Sequence, residues 1–150
     1  MYSFETRASL DTAIDAWIAN QTSATETYGD INTWDVTRIT DFSHLFENQT
    51  SFNSDIGNWD VSSGTDFSSM FFGASSFNKD IGNWNVNSGT DFGDMFQQAT
   101  SFNQDLSSWN VSNGIDFHGM FYTASSFNQN IGNWDVSNGT NFEHMLFGAS

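Results

Sequence analysis

The sequence SFNSDIGNWDVSSGTDFSSMFFGAS occupies residues 51–75 and recurs with few changes in residues 76–100, 101–125 and 126–150. A degenerate earlier copy, ETYGDINTWDVTRITDFSHLFENQT, fills residues 26–50. One tryptophan in each copy marks the 25-residue period: Trp34, Trp59, Trp84, Trp109 and Trp134. A fixed period of this length is typical of repeat proteins, in which each unit buries its apolar face against its neighbours.

Two hydrophobic spacings alternate inside each copy. Trp59 and Val61 are two residues apart, as on one face of a short strand. Phe67, Met70 and Phe71 have the spacing of one helical turn. The pattern predicts an α/β repeat solenoid of the leucine-rich-repeat type, with a short parallel β-strand and a short helical turn in each coil. Five coils form one continuous domain: 26–50, 51–75, 76–100, 101–125 and 126–150.

Residues 1–25 lie outside the repeat and carry a helical stripe of apolar residues, namely Leu10, Ala13, Ile14, Trp17 and Ile18. We expect an amphipathic helix here that caps the first coil. The segment lacks the basic start and unbroken apolar stretch of a signal peptide. No comparable cap follows the last coil, so we expect the chain to be the front part of a longer protein or a trimmed piece of one. The uncovered coil predicts fraying or end-to-end self-association.

Charge and composition exclude several classes of partner. Eighteen acidic residues against three basic ones give a net charge of −15, which opposes binding to nucleic acids or anionic membrane surfaces. No apolar run has the roughly 18–20 residues that a membrane span needs, so we expect no membrane insertion. The absence of cysteine excludes disulfides and Cys-ligated metals.

These residues resemble a known family. The start, FETRASLDTAIDAWIANQTSATETYGDINTWDVTRITDFSHLF, and the blocks FNxDIGNWDVSxGTDFxxMFxGASSFN are similar to the BspA-like leucine-rich-repeat surface proteins, which include mycoplasma lipoproteins. The resemblance implies a right-handed solenoid of an extracellular or cell-surface protein, with adhesive or protein-binding function. We call a set of equivalent positions in successive repeats a column. Two columns depart from the family pattern, which has Val before Thr-Asp and Met after it. Glycine replaces Val at Gly64, Gly89, Gly114 and Gly139, and phenylalanine replaces Met at Phe67, Phe92, Phe117 and Phe142.

Residues with catalytic chemistry are scattered. His44 and His144 share a column but are four coils apart, and His118 is expected to stack over Glu143 in a local hydrogen bond. No nucleophile elbow, phosphate loop or HExxH motif occurs. We therefore predict that the protein is not an enzyme and has no catalytic, cofactor-binding or metal-binding residues.

Several polar and aromatic columns recur in the coils. The tryptophans are predicted to be buried rather than to form a platform for sugars. The asparagine column that begins at Asn53 is predicted to bond the backbone of neighbouring coils. Acidic columns such as those of Asp55 and Asp66 suggest calcium, but Asn replaces Asp in each column. Because Asn and Asp share an acceptor oxygen, we predict turn caps rather than a calcium site.

A variable column supplies the candidate binding residues. It contains three aromatic residues, Phe72, Tyr122 and Phe147, which could anchor a partner. The predicted function is a non-catalytic protein-binding or adhesive module whose partner is a protein or a glycan. The alternatives are a structural spacer or stalk, and a specific binder of glycan, calcium or ice.

Overall fold

The computed structural model describes residues 1–149. Helix α1 spans Arg7–Ala19 and helix α2 spans Gln21–Tyr28, and a single 3-10 turn follows at Ile31–Thr33. From residue 34 to residue 149 the chain consists of turns and extended residues, with no helix and no β-strand in this part. None of the helices within residues 1–149 has the length and hydrophobicity to cross a bilayer.

The predicted α/β solenoid with one β-strand per coil is therefore wrong. The repeats do stack, but each described repeat contributes only one bridging residue to its neighbour. These isolated parallel bridges join equivalent positions: Asp41 to Asp66, Asp66 to Asp91, Asp91 to Asp116, and Asp116 to Asn141. Trp59 and Val61 are both buried as expected, yet no residue of that segment pairs with the next repeat in a β-ladder.

The predicted helical turn is also absent, because the backbone alternates between two kinds of hydrogen bond. The N–H groups of Phe67 and Phe71 donate to carbonyls of the next repeat at 2.9 Å, whereas the N–H of Met70 donates to Phe67 within its own turn. Ser69 and Gly73 have positive φ values of 54° and 66°. These two left-handed residues, four positions apart, interrupt a right-handed helix while the apolar side chains still reach the core.

The core consists of columns of equivalent aromatic rings. Phe92 stacks between Phe67 and Phe117, with ring centroids 5.6 and 5.5 Å away. The column containing Phe71 has the same spacing, 5.5 Å between successive rings. All five repeat tryptophans are buried, so the prediction of a tryptophan core is confirmed. Aromatic stacking on this scale explains how a chain with little regular secondary structure holds a fixed conformation.

The glycine column and the phenylalanine column, which both depart from the family pattern, are in contact with each other. A Cβ atom added at Gly89 would lie 2.5 Å from Cζ of Phe92, and one at Gly64 would lie 2.5 Å from Cζ of Phe67. The glycine column therefore makes room for the phenylalanine column. The first described repeat has Ile39 at this position, and its Phe42 ring lies against Gly64 of the next repeat, 3.0 Å from the Cβ position there.

The N-terminal segment closes one end of the stack. A capping box between Thr6 and Ser9 starts α1. Of its predicted apolar stripe, Ile18 is exposed and the other four residues are buried: Leu10, Ala13, Ile14 and Trp17. Trp17 packs edge-on against Trp34, with centroids 5.9 Å apart. A second helix, α2, follows at once, although the sequence pattern predicts only one. The division into a cap, residues 1–25, and one continuous domain of five repeats, residues 26–150, stays a prediction.

Candidate functional site

Most of the acidic residues accept backbone hydrogen bonds in turns. In three columns of five residues each, the side-chain Oδ1 accepts the backbone N–H of the residue two positions later. This holds at Asp30, Asp55, Asp80, Asp105 and Asn130, at Asp35, Asp60, Asn85, Asn110 and Asp135, and at Asp41, Asp66, Asp91, Asp116 and Asn141. The prediction of turn caps is confirmed. Asn and Asp alternate freely because the turn needs an acceptor oxygen rather than a charge.

Two further ladders connect the repeats. Oδ1 of Asn53 accepts the N–H of Asn78 at 3.0 Å, and Oδ1 of Asn78 accepts the N–H of Asn103 at 2.9 Å. This is the asparagine ladder that the sequence predicts. The indole N–H of Trp84 donates to the carbonyl of Ile56 in the previous repeat at 3.1 Å. These side chains already form hydrogen bonds between repeats, so we expect a binding site among other side chains.

An exposed aromatic group stands on the side of the last two repeats. The ring of Tyr122 stacks on the ring of Phe147 at 5.3 Å, and the His144 ring meets both edge-on at 5.9 Å. Phe147 is 61% exposed and Tyr122 is half-buried. We call Tyr122, His144 and Phe147 the aromatic cluster. Of the predicted binding residues, the structure brings Tyr122 and Phe147 together.

Phe72 is not part of this cluster. Its side chain is half-buried, and within residues 1–149 no ring contact joins it to Tyr122. Gln97 occupies the equivalent position between the two. The predicted aromatic row is therefore a pair, with Phe72 two repeats away from Tyr122.

A shallow depression of about 420 Å³ lies beside the aromatic cluster. Its lining combines polar and aromatic groups: Asp94, Gln97, His118, Gly119, Tyr122, Glu143 and His144. The imidazole of His118 bridges two repeats at its edge. Nδ1 lies 2.8 Å from Oδ1 of Asp116, and Nε2 lies 3.0 Å from Oδ2 of Asp94. Because an ionised carboxylate only accepts hydrogen bonds, contacts to a carboxylate from both ring nitrogens favour the imidazolium, in which both nitrogens donate.

The electrostatics of this bridge agree with its geometry. The hydrogen bond to Asp116 raises the pKa of His118, the charge of Asp94 adds to the effect, and partial burial opposes it. Partial burial would raise the pKa of Asp116, but hydrogen bonds from the backbone and ring of His118 outweigh it and lower that pKa. Burial raises the pKa of the neighbouring Asp91. The bridge therefore favours a charged His118.

The expected pairing of His118 with Glu143 is wrong. The two partners of His118 are the carboxylates of Asp116 and Asp94, and the Glu143 carboxylate lies 3.5 Å from His144. The sequence does contain a signal for the observed contact. His118 follows Asp116 by two residues, and residue 93, beneath the ring, is the glycine Gly93. A Cβ atom at Gly93 would lie 2.6 Å from Cε1 of His118, so glycine at this position leaves room for the ring where the structure places it.

Within residues 1–149, no group of three or more His, Asp and Glu residues is arranged to hold a metal ion. His118 is surrounded by two carboxylates, but both of its nitrogens are occupied by them. The aromatic cluster and the depression beside it do present exposed side chains to an external partner.

The structure thus defines a class of protein: stacked 25-residue repeats, held by aromatic columns and Asx turns, with one end closed by two helices. The sequence model of the family described as "Mycoplasma protein of unknown function, DUF285" matches residues 12–116 and 90–150. The chain belongs to this family. No curated protein and no solved structure gives a significant match.

Proposed function

We propose that this protein is a non-catalytic binding module, and that the aromatic cluster with its depression is the binding surface. The observation that carries the proposal is the stacked pair of Tyr122 and Phe147 on an open surface. Exposed aromatic rings that are already fixed by packing bind partners at low entropic cost. This surface supports the proposal of an adhesive or protein-binding module.

The chemistry of the surface fits a protein or a glycan. The ring faces of Tyr122 and Phe147 offer flat apolar contact, while Asp94, Gln97 and Glu143 border the depression with acceptor oxygens. A sugar ring presents one apolar face and several hydroxyl donors, and a protein partner presents aromatic or cationic side chains. The net charge of −15 favours neutral or cationic partners over anionic ones.

The proposal of a non-catalytic role rests on how the titratable groups are used. The carboxylates of Asp66 and Asp91 accept turn hydrogen bonds, as do those of the other acidic columns. Both nitrogens of His118 bond carboxylates, so the ring has no free position for general acid–base chemistry. These commitments favour recognition over catalysis.

We also propose that the module acts outside the cell or at its surface. Membership of the mycoplasma family is compatible with the finer assignment that the sequence suggests, to BspA-like surface proteins. A glycan or protein ligand at the cell surface is the kind of partner that the aromatic cluster fits.

The test is to probe arrays of glycans and of purified extracellular proteins with the labelled chain. We expect at least one saturable ligand, with affinity reduced about fivefold or more in Tyr122→Ala and Phe147→Ala, because truncation of a central aromatic anchor costs more than about 1 kcal/mol. Ile115→Ala is the matched control, since Ile115 is an exposed apolar residue in another column. Urea unfolding of each variant shows that the fold is kept.

The competing function, a spacer, makes the opposite prediction. A spacer has interchangeable outward columns, so removal of the aromatic cluster would change no interaction. Binding that is absent from both arrays, or that is equally insensitive to Tyr122→Ala and Ile115→Ala, would contradict the binding module.

A further inference from the structure

The repeats lie further apart on the side of the tryptophans than on the side of the phenylalanines. Ring centroids of Trp109 and Trp134 are 6.4 Å apart, whereas those of Phe92 and Phe117 are 5.5 Å apart. On the phenylalanine side, backbone N–H groups of each repeat donate to carbonyls of the next. Within residues 1–149, no backbone hydrogen bond joins the tryptophan segments of successive repeats. The wider spacing leaves shallow grooves there.

One of these grooves, of about 400 Å³, lies between repeats 76–100 and 101–125. Trp84 and Val86 line it, but both side chains are buried and offer little apolar surface. None of the residues that line it is ionisable, although the protein carries a net charge of −15. We call this depression the amide groove, because its polar lining consists of amides and one hydroxyl: Asn83, Asn85, Asn87, Ser108 and Asn110.

Much of the hydrogen-bonding capacity of the amide groove is not used by the chain itself. Oδ1 of Asn85 accepts the N–H of Asn87, and Oδ1 of Asn110 accepts the N–H of Ser112. Neither Nδ2 donates to any residue in the described range 1–149. The backbone N–H and C=O groups of Asn83 and Asn85 also have no hydrogen-bond partner in that range. A ligand in the groove therefore meets donors and acceptors side by side.

An equivalent groove between repeats 26–50 and 51–75 shows what is particular to the amide groove. Asp35 and Asp60 occupy there the positions of Asn85 and Asn110. Both residue types cap the same turn through Oδ1, so the turn itself does not require asparagine. The two asparagines of this column line one and the same groove. What their amides add is neutrality and two Nδ2 donors.

We infer that the amide groove is a binding site for a neutral carbohydrate chain. A sugar hydroxyl both donates and accepts hydrogen bonds, which matches the mixed unpaired groups of the groove. An anionic ligand meets no Lys or Arg there, a cationic ligand meets no carboxylate, and an apolar ligand meets little exposed apolar surface. The amide groove shares no residue with the aromatic cluster, so the two sites can be tested separately.

The test titrates the isotope-labelled full chain with neutral hexasaccharides of glucose, mannose, galactose or N-acetylglucosamine. NMR follows the side-chain NH₂ signals of Asn83, Asn85 and Asn110. We expect at least one of these sugars to shift all three signals saturably. A hexasaccharide of uronic acids and a flexible Gly/Ser peptide of similar length are the comparison probes, and neither should shift these signals.

The decisive variant is Asn85→Asp/Asn110→Asp. It keeps both Oδ1 turn acceptors, as Asp does in the equivalent groove, but replaces the two Nδ2 donors by charge. Affinity for the sugar should fall about fivefold or more, because two hydrogen bonds are lost. The matched control is Asn130→Asp/Asn141→Asp, which makes the same chemical change at turn caps outside the groove. Its affinity should stay within about twofold of the wild type, because salt screens distant charges.

Four results overturn the inference. The first is that none of the neutral sugars shifts the three signals. The second is an equal shift by the uronic acid sugar or by the Gly/Ser peptide, which would identify another class of ligand. The third is an equal loss of affinity in both double variants. The fourth is sugar binding that persists in Asn85→Asp/Asn110→Asp and is lost in Tyr122→Ala, which would place the sugar at the aromatic cluster and support the proposed function alone.

Discussion

The contact between Gly89 and Phe92 can be tested with a double-mutant cycle. Gly89→Ala adds a Cβ atom 2.5 Å from Cζ of Phe92 and 3.0 Å from the carbonyl oxygen of Val86. Phe92 is fully buried between Phe67 and Phe117, so its ring has little room to move. Overpacking of this kind costs typically about 1–3 kcal/mol. We expect the free energy of unfolding to fall by that amount.

The matched control is Gly132→Ala, where the nearest atom to an added Cβ is Oδ1 of Asn130, at 3.2 Å. Neither glycine has a positive φ, so each backbone accepts alanine. The Asn130 side chain is exposed and has to shift by only a few tenths of an ångström, so Gly132→Ala should stabilise the protein by about 0.4–1 kcal/mol through the unfolded state. The two substitutions should therefore change stability in opposite directions.

The second single mutant of the cycle replaces the Phe92 ring. Phe92→Met alone removes two ring contacts and should cost about 1–3 kcal/mol. In Gly89→Ala/Phe92→Met the flexible Met side chain can move away from the new methyl group. The double mutant should be more stable than the sum of the two single effects by about 0.5–3 kcal/mol.

Equilibrium urea unfolding measures the cycle, followed by tryptophan fluorescence. With an m value of about 1–3 kcal/mol/M, a loss of 2 kcal/mol lowers the midpoint by roughly 1 M. Additive effects within about 0.5 kcal/mol, or stabilisation by Gly89→Ala equal to that by Gly132→Ala, would refute the argument that glycine is required by the ring.

Three other predictions concern polar groups. The folded-state pKa of His118 is raised above its unfolded value, so its stabilising contribution is complete below the unfolded pKa, about 6.5, and is lost as pH rises through the folded pKa. The stability difference between the wild type and His118→Gln should thus shrink between pH 5.5 and pH 9, and a difference independent of pH would contradict the bridge. Asn78→Ala removes the acceptor for the N–H of Asn103 and should lower stability by about 1 kcal/mol, whereas Asn83→Ala, at an exposed position outside the ladder, should change it by less than about 0.5 kcal/mol. Millimolar calcium after EDTA treatment should raise the melting temperature no more than sodium at matched ionic strength, since the acidic columns are turn caps, and a large calcium-specific rise would contradict that assignment.

Part of the candidate site could be predicted from the sequence, and the rest is visible only in the structure. The variable column indicates Tyr122 and Phe147 as outward residues, and the structure stacks them. It does not indicate His144, which belongs to another column, nor the bridge from His118 to Asp94 in the preceding repeat. Those contacts depend on how far one repeat is offset from the next, which the period alone leaves open.

The sequence by itself determined the period, the identity of the buried columns, the asparagine ladder and the use of Asp and Asn as turn caps. These follow from residue chemistry repeated in phase, because every repeat poses the same packing and hydrogen-bonding problem. The path of the backbone was decided only in the tertiary structure. Phe67, Met70 and Phe71 have helical spacing, but a left-handed Ser69 lets alternate N–H groups reach the next repeat. Those hydrogen bonds form only when a neighbouring repeat is present, so the local pattern favours a helical turn while stacking selects a series of turns whose alternate N–H groups point to the next repeat.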